Sequence, residues 1–153
     1  KSVSAIVVAS GRAATHVALL IGLRLLRSRI PVYGICVRRD KKQQVSRVKG
    51  IVRLAENLIG CGEVVQEDDI KCHDEWLQPG YGRTNKFVYE AMTLAGNLEA
   101  MVVDPVYTAK SFAGAIGLYR QGLFDKSQNI LYLHTGGTPA IFAYEREITE
   151  TLN

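Results

Sequence analysis

Short, continuous apolar runs alternate along the chain with longer stretches in which apolar residues recur every third or fourth position. Ala5-Ile6-Val7-Val8-Ala9 ends at Ser10-Gly11, the pattern of a strand buried on both faces. Val17, Leu19, Leu20, Leu23, Leu25 and Leu26 then keep helical spacing until Ser28 to Pro31 stops them. A second β-rich run, Val32 to Val37, precedes a helical stretch through Val45, Val48, Ile51, Val52, Ala55, Leu58 and Ile59 that ends at Gly60. A weak third strand is expected between Val64 and Cys72. Beyond the loop at Gln78 to Gly82, Thr84 to Ala95 reads as a helix with Thr84 as its N-cap. A strand at Ala100 to Val103, a helix from Lys110 to Arg120, a last strand at Asn129 to His134 and a short helix near Ala140 to Tyr144 complete the series. Strands alternating with helices of these lengths predict an α/β fold: a doubly wound, mostly parallel sheet with helices on both faces and right-handed crossovers.

The 153 residues contain no linker, repeat or composition break, so one domain over 1–153 is expected. Apolar residues at 47% and charged residues at 22% exclude a disordered or fibrous chain. No apolar run approaches the roughly 20 residues of a membrane-spanning helix, and strand-like sequence follows Lys1 directly, so neither insertion nor export is expected. Cys36, Cys61 and Cys72 are odd in number and form no CxxC pair. That argues against a disulfide framework or a metal site and for a reducing cytoplasm.

Charge changes the picture more than composition does. Residues 1–53 carry twelve Lys and Arg against the single acid Asp40, whereas residues 54–153 carry seven against fourteen acids, giving halves of +11 and −7 within a net +4. A basic half can mark a nucleic-acid face, a set of solvated positions, or surface that meets sequence outside this chain. Tyr33 is the sole aromatic interleaved among these cations, so a base-stacking platform is missing and nucleic acid is disfavoured as a partner.

In an open sheet, ligands sit beyond the carboxyl ends of the strands. Ser10-Gly11-Arg12-Ala13-Ala14-Thr15 joins the first strand to the first helix and reads as either an anion cradle or a plain βα turn. No Gly-Lys-Ser/Thr follows and Gly11 stands alone, so it is neither a P-loop nor a dinucleotide fingerprint. His134-Thr135-Gly136-Gly137 ends another strand with paired glycines that admit a ligand close to the backbone. Asp104-Pro105-Val106-Tyr107-Thr108 and Pro79-Gly80-Tyr81-Gly82 each bring a phenol to the same edge, where a tyrosine can equally be a packing residue.

Taken in order, these motifs resemble the pyridoxal-phosphate enzymes grouped as 1-aminocyclopropane-1-carboxylate (ACC) deaminase and D-cysteine desulfhydrase, of the tryptophan-synthase-β-like fold type. The resemblance covers essentially all of this chain but only the C-terminal half of a family member. It implies pyridoxal 5'-phosphate as cofactor, with Ser10, Gly11, Ala13, Ala14 and Thr15 around the phosphate and Thr135, beside Gly136, on the pyridine nitrogen. It further implies that Tyr81 and Tyr107 are catalytic and face a small amino-acid substrate, with Tyr107 also near the ring, and that the protein is a homodimer. Deaminases of the group resemble a pattern with Glu after the second tyrosine and Leu after the histidine. Here Thr108 and Thr135 stand there, as in the desulfhydrase-like pattern.

A neutral hydroxyl makes the pyridine nitrogen a weaker electron sink than a carboxylate would, which suits expulsion of a good leaving group such as hydrosulfide. β-Elimination from D-cysteine to pyruvate, ammonia and sulfide is the expected reaction, and ACC deamination the alternative. A non-catalytic remnant that binds an anion or a partner, and a basic nucleic-acid-binding domain, are the readings from other classes. Two departures qualify the resemblance. Relatives resemble Ser-Gly-Ser-Gly-Gly-Thr in the phosphate loop, where this chain has Arg12, Ala13 and Ala14; alanine at a positive φ costs on the order of 1 kcal/mol. The family's Schiff-base lysine lies in an N-terminal portion, and Lys110 resembles a helix-start lysine instead. Turnover is therefore expected only with that other half, supplied by another chain or removed by processing.

Overall fold

The computed structural model, described over residues 2–152, places β1 (Ala5–Ser10), β2 (Val32–Cys36), β3 (Lys71–His73) and β4 (Ile130–Leu133) in one sheet of order β3-β2-β1-β4. Every pairing is parallel. Period-2 alternation sorts the side chains into two layers. Ile6, Val8, Val32 and Cys36 join Val17, Leu20, Ile21, Val48 and Val52 of α1 (Ala14–Leu25) and α2 (Lys41–Ile59) in one buried cluster. The opposite parity, Ala5, Val7 and Ile35, packs with Trp76 and with Ala91, Ala113 and Leu118 of α3 (Lys86–Glu99) and α4 (Thr108–Arg120). Helices thus cover both faces, as the pattern predicts. Burying one such large aliphatic side chain contributes about 1.5–3 kcal/mol. α4 approaches unusually closely because of Gly114, whose Cβ would lie 2.6 Å from Ile35 Cδ1.

Helix ends follow local chemistry. Asp40 starts α2 by accepting from Gln43 N at 2.8 Å, and Gly60 ends it at φ 67°. α3 begins one residue later than expected: Asn85, not Thr84, is the N-cap, its Oδ1 accepting from Val88 N at 3.0 Å. An amide serves better there because its Nδ2 simultaneously donates to Trp76 O, while the Thr84 hydroxyl accepts from Tyr89 OH.

Other expectations are corrected. α3 continues to Glu99 and closes on Ala100 at φ 50°, which leaves too few residues for a strand at Ala100 to Val103. That run forms no ladder and meets the end of β4 through His134 Nε2 on Val102 O at 2.9 Å. Of the weak third-strand region only Lys71 and Cys72 pair, in a strand that extends to His73, after a 3₁₀ turn at Glu67–Asp69. The last short helix is a 3₁₀ segment, Thr138–Tyr144, followed by an unanticipated α5 (Glu145–Leu152). All three cysteines are free, and no helix among the described residues is long and apolar enough to cross a membrane. Part of the basic half is neutralised within the fold: Arg24 pairs with Asp69 at 2.7 Å, Arg53 with Glu56 at 2.8 Å, and Lys49 with Glu67.

Candidate functional site

A cavity of about 290 Å³ opens beside the carboxyl end of β1, lined by Ala9, Gly11, Arg12, Ala13, Ala14, Thr15, Tyr107, Thr135, Gly136 and Gly137. Three segments far apart in sequence therefore share one space. The β1–α1 loop contributes mainly backbone. Ala13 is the N-cap of α1 at φ 76°, a left-handed conformation that costs an alanine about 1 kcal/mol or more. It offers no side-chain acceptor, and the first turn of α1 contains no acid. Its N–H groups, at the positive end of the helix dipole, thus favour an anion.

Ser10 is the residue the sequence misplaces. β1 runs through Ser10, so its side chain keeps the parity of Ile6 and Val8 and turns into the α1–α2 layer. Fully buried, its Oγ accepts from Gln44 Nε2 at 2.9 Å and lies 3.1 Å from His16 Nδ1. It braces the loop from behind. Arg39 fixes the other side, donating to Gly11 O at 3.0 Å. Among the expected phosphate residues, Gly11, Ala13, Ala14 and Thr15 line the cavity and the Ser10 side chain does not.

The opposite wall is built by side chains. Buried Asp104 accepts from Val106 N and Tyr107 N at 2.9 Å, from Thr108 N at 2.8 Å and from Thr108 Oγ1 at 2.6 Å. It thereby caps the start of α4 and sets the direction of Tyr107. Thr108 is consumed by this cap. Gly137, at φ 98°, lies against the same carboxylate: a Cβ there would come within 2.7 Å of Asp104 Oδ1. Gly137 is one of the paired glycines of the sequence motif, whereas Asp104 has no role of its own in that reading, although an Asp four residues before a helical Thr is a readable capping signal.

Tyr81 reaches the cavity through Tyr107. Their hydroxyls are hydrogen-bonded and their rings meet edge-on at 5.9 Å. The bond to Tyr81 and partial burial raise the Tyr107 phenol above its usual range, with nearby Arg12 pulling the other way. The Arg38 guanidinium stands 5.4 Å from the centre of the Tyr81 ring. Thr135 is exposed on the cavity wall, and Gly136 N donates to His134 Nδ1 at 3.3 Å. Lys110 lies elsewhere: it is fully buried, and its Nζ donates to Leu77 O at 3.1 Å and to Gly80 O. No lysine lines the cavity among the described residues.

Comparison with known proteins gives a match to the family described as pyridoxal-phosphate dependent enzyme over residues 1–136. The chain belongs to this family. It is 39% identical over 145 residues to D-cysteine desulfhydrase of Salmonella typhi, covering 95% of this chain and 43% of that protein. The same identity and coverage hold for D-cysteine desulfhydrase of Salmonella paratyphi C. A solved structure described as the ACC deaminase homologue superposes with a TM-score of 0.85 at 30% sequence identity, covering 97% of this chain and 44% of that one. The chain thus spans less than half the length of the relatives it matches.

The cavity fits part of the family's cofactor. Its lining contains one cation, Arg12, no carboxylate among the described residues, and helix-start N–H groups suited to a phosphate. Its volume lies near the lower end of the roughly 300–1,000 Å³ of small-molecule sites. Thr135 offers a neutral hydroxyl on the far side.

Proposed function

We propose that the chain forms the cofactor-cradling, phenol-bearing part of a pyridoxal-phosphate-dependent lyase that converts D-cysteine and water to pyruvate, ammonia and hydrogen sulfide. The convergence of Gly11 to Thr15, Tyr107 and Thr135 to Gly137 on one cavity carries this reading. The amides of Ala13 to Thr15 hold the phosphate, with Arg12 adding charge. Thr135 meets the pyridine nitrogen without supplying a negative charge. Bound pyridoxal phosphate supplies the sink for electrons released at the substrate's α-carbon. The Tyr81–Tyr107 pair holds a proton on the substrate side, and the raised Tyr107 phenol keeps that proton at neutral pH.

The lysine that the chemistry requires belongs to the portion that corresponds to the N-terminal half of these relatives, and two complete units form a homodimer. The three free cysteines favour a reducing, cytoplasmic setting. Similarity to the ACC deaminase homologue supports ACC as a second substrate candidate. Co-expression with the N-terminal half of the Salmonella typhi relative tests all of this. The expected result is a visible absorbance from bound cofactor and sulfide release from D-cysteine. Ammonia from ACC without sulfide from D-cysteine would select the second substrate. No cofactor uptake, with calorimetry showing no binding of pyridoxal phosphate, would leave a non-catalytic remnant.

A further inference from the structure

We propose that Lys110 is a positioning residue: by tying the loop of residues 77–82 to the first turn of α4, it sets the hydrogen bond between Tyr81 and Tyr107. The inference rests on the reading of the cavity given above and concerns how its phenol wall is held.

Among the described residues, Lys110 is the largest fully buried side chain. It stands three residues after Tyr107, and both of its acceptors, Leu77 O and Gly80 O, belong to the loop that carries Tyr81. One side chain therefore bridges the backbones of the two tyrosines. Each acceptor already serves a loop turn, Gly80 N donating to Leu77 O at 3.0 Å and Arg83 N to Gly80 O at 3.3 Å. The ammonium thus clamps the turn at both ends. Tyr144 OH holds the following residue, donating to Gly82 O at 2.7 Å, and Asn85 holds the loop's beginning at Trp76 O and Gln78 O.

Packing alone does not account for a lysine here. Burying an ammonium is expensive, and an apolar chain of the same length would fill the space without that penalty. Buried polar groups of this kind can fix one geometry among several. The geometry fixed here is that of Tyr81, which is 47% exposed and otherwise meets Arg38 from solvent. The burial of Lys110 also pushes its ammonium down to about 8. The charged and titratable groups facing the phenol pair are Arg12, Arg38, Asp104 and Tyr144.

Tyrosine labelled with carbon-13 at the ring Cζ reads the pair by NMR, with Tyr81→Phe and Tyr107→Phe assigning the signals. In Lys110→Met, the Tyr107 titration midpoint is expected to fall to that of Tyr81→Phe, with faster amide exchange at residues 78–82. A folded Lys110→Met with the wild-type midpoint overturns the proposal. Should Lys110→Met fail to fold, nitrogen-15 lysine in the wild-type chain gives the midpoint of Lys110 itself. The Tyr81 and Tyr107 signals are then expected to move at that midpoint, and signals indifferent to it overturn the proposal. Neither readout uses the cofactor. Failure of pyridoxal phosphate to bind would remove the proposed function and leave this coupling intact, and the converse also holds.

Discussion

The two walls of the cavity are made in different ways. Gly11 to Thr15 and Gly136 to Gly137 present mainly backbone, oriented by β1, by the start of α1 and by the hidden contacts of Ser10 with Gln44 and His16. Tyr107 presents its side chain, backed by Tyr81 outside the lining, and the directions of the two depend on single buried groups, Asp104 and Lys110. A backbone wall tolerates side-chain replacement as long as φ and ψ are attainable, as Ala13 shows at φ 76°. A side-chain wall fails at its supports.

Asp104→Ala is the harshest test of that contrast. It leaves Val106, Tyr107 and Thr108 N–H groups without their acceptor, and a loss of at least about 3 kcal/mol is expected in urea denaturation. A wild-type midpoint in that variant would mean that water replaces the cap and that the side-chain wall is not so supported.

Lys110 gives the next largest effect, through pH. Its ammonium, ordinarily near 10.5, is held at about 8 by burial, so the fold opposes the charged form. That opposition is fully present below about 8 and is lifted as pH rises toward 10.5. Stability of the wild type relative to Lys110→Met should therefore climb across this window, by something on the order of 2 kcal/mol. Parallel curves for the two proteins would show that Lys110 meets solvent.

On the backbone wall, Ala13→Gly relieves the left-handed alanine. A gain of up to about 1 kcal/mol in thermal or urea unfolding is expected. A loss would place the strain elsewhere. Smallest in stability is Tyr81→Phe, expected to stay within about 0.5 kcal/mol of the wild type. Spectrophotometric titration should nevertheless show the Tyr107 phenol ionising at lower pH once its hydrogen-bond partner is gone.

Much of this was legible in the sequence because it is written in periodicity. The runs at Ala5 and Val32 are continuous and apolar, and both became interior strands. The loop that follows the first of them lines the cavity together with the loop that follows β4, at the strand ends where the rule for open sheets puts a ligand. Ser10 reads as a loop residue because the apolar run stops at Ala9, but β1 extends one residue further, so Ser10 keeps the parity of Ile6 and Val8 and turns into the α1–α2 layer. Ala100 to Val103 misled in the opposite way. Its composition suits a strand, but α3 runs through the stop signal of Gly96 and Asn97 as far as Glu99. The inward turn of Lys110 has no local signature, since its acceptors, Leu77 O and Gly80 O, lie far away in the chain.

Arg12 on the cavity wall, Arg38 over Tyr81 and Arg39 on Gly11 form an arc of fixed positive charge around the cavity mouth. Such a field acts at a distance, drawing a doubly charged phosphate ester inward before any contact forms and fading as ions are added to the medium. Ligand capture should slow sharply with salt while release keeps its pace, so in this molecule ionic strength governs how often an anion arrives more than how long it stays.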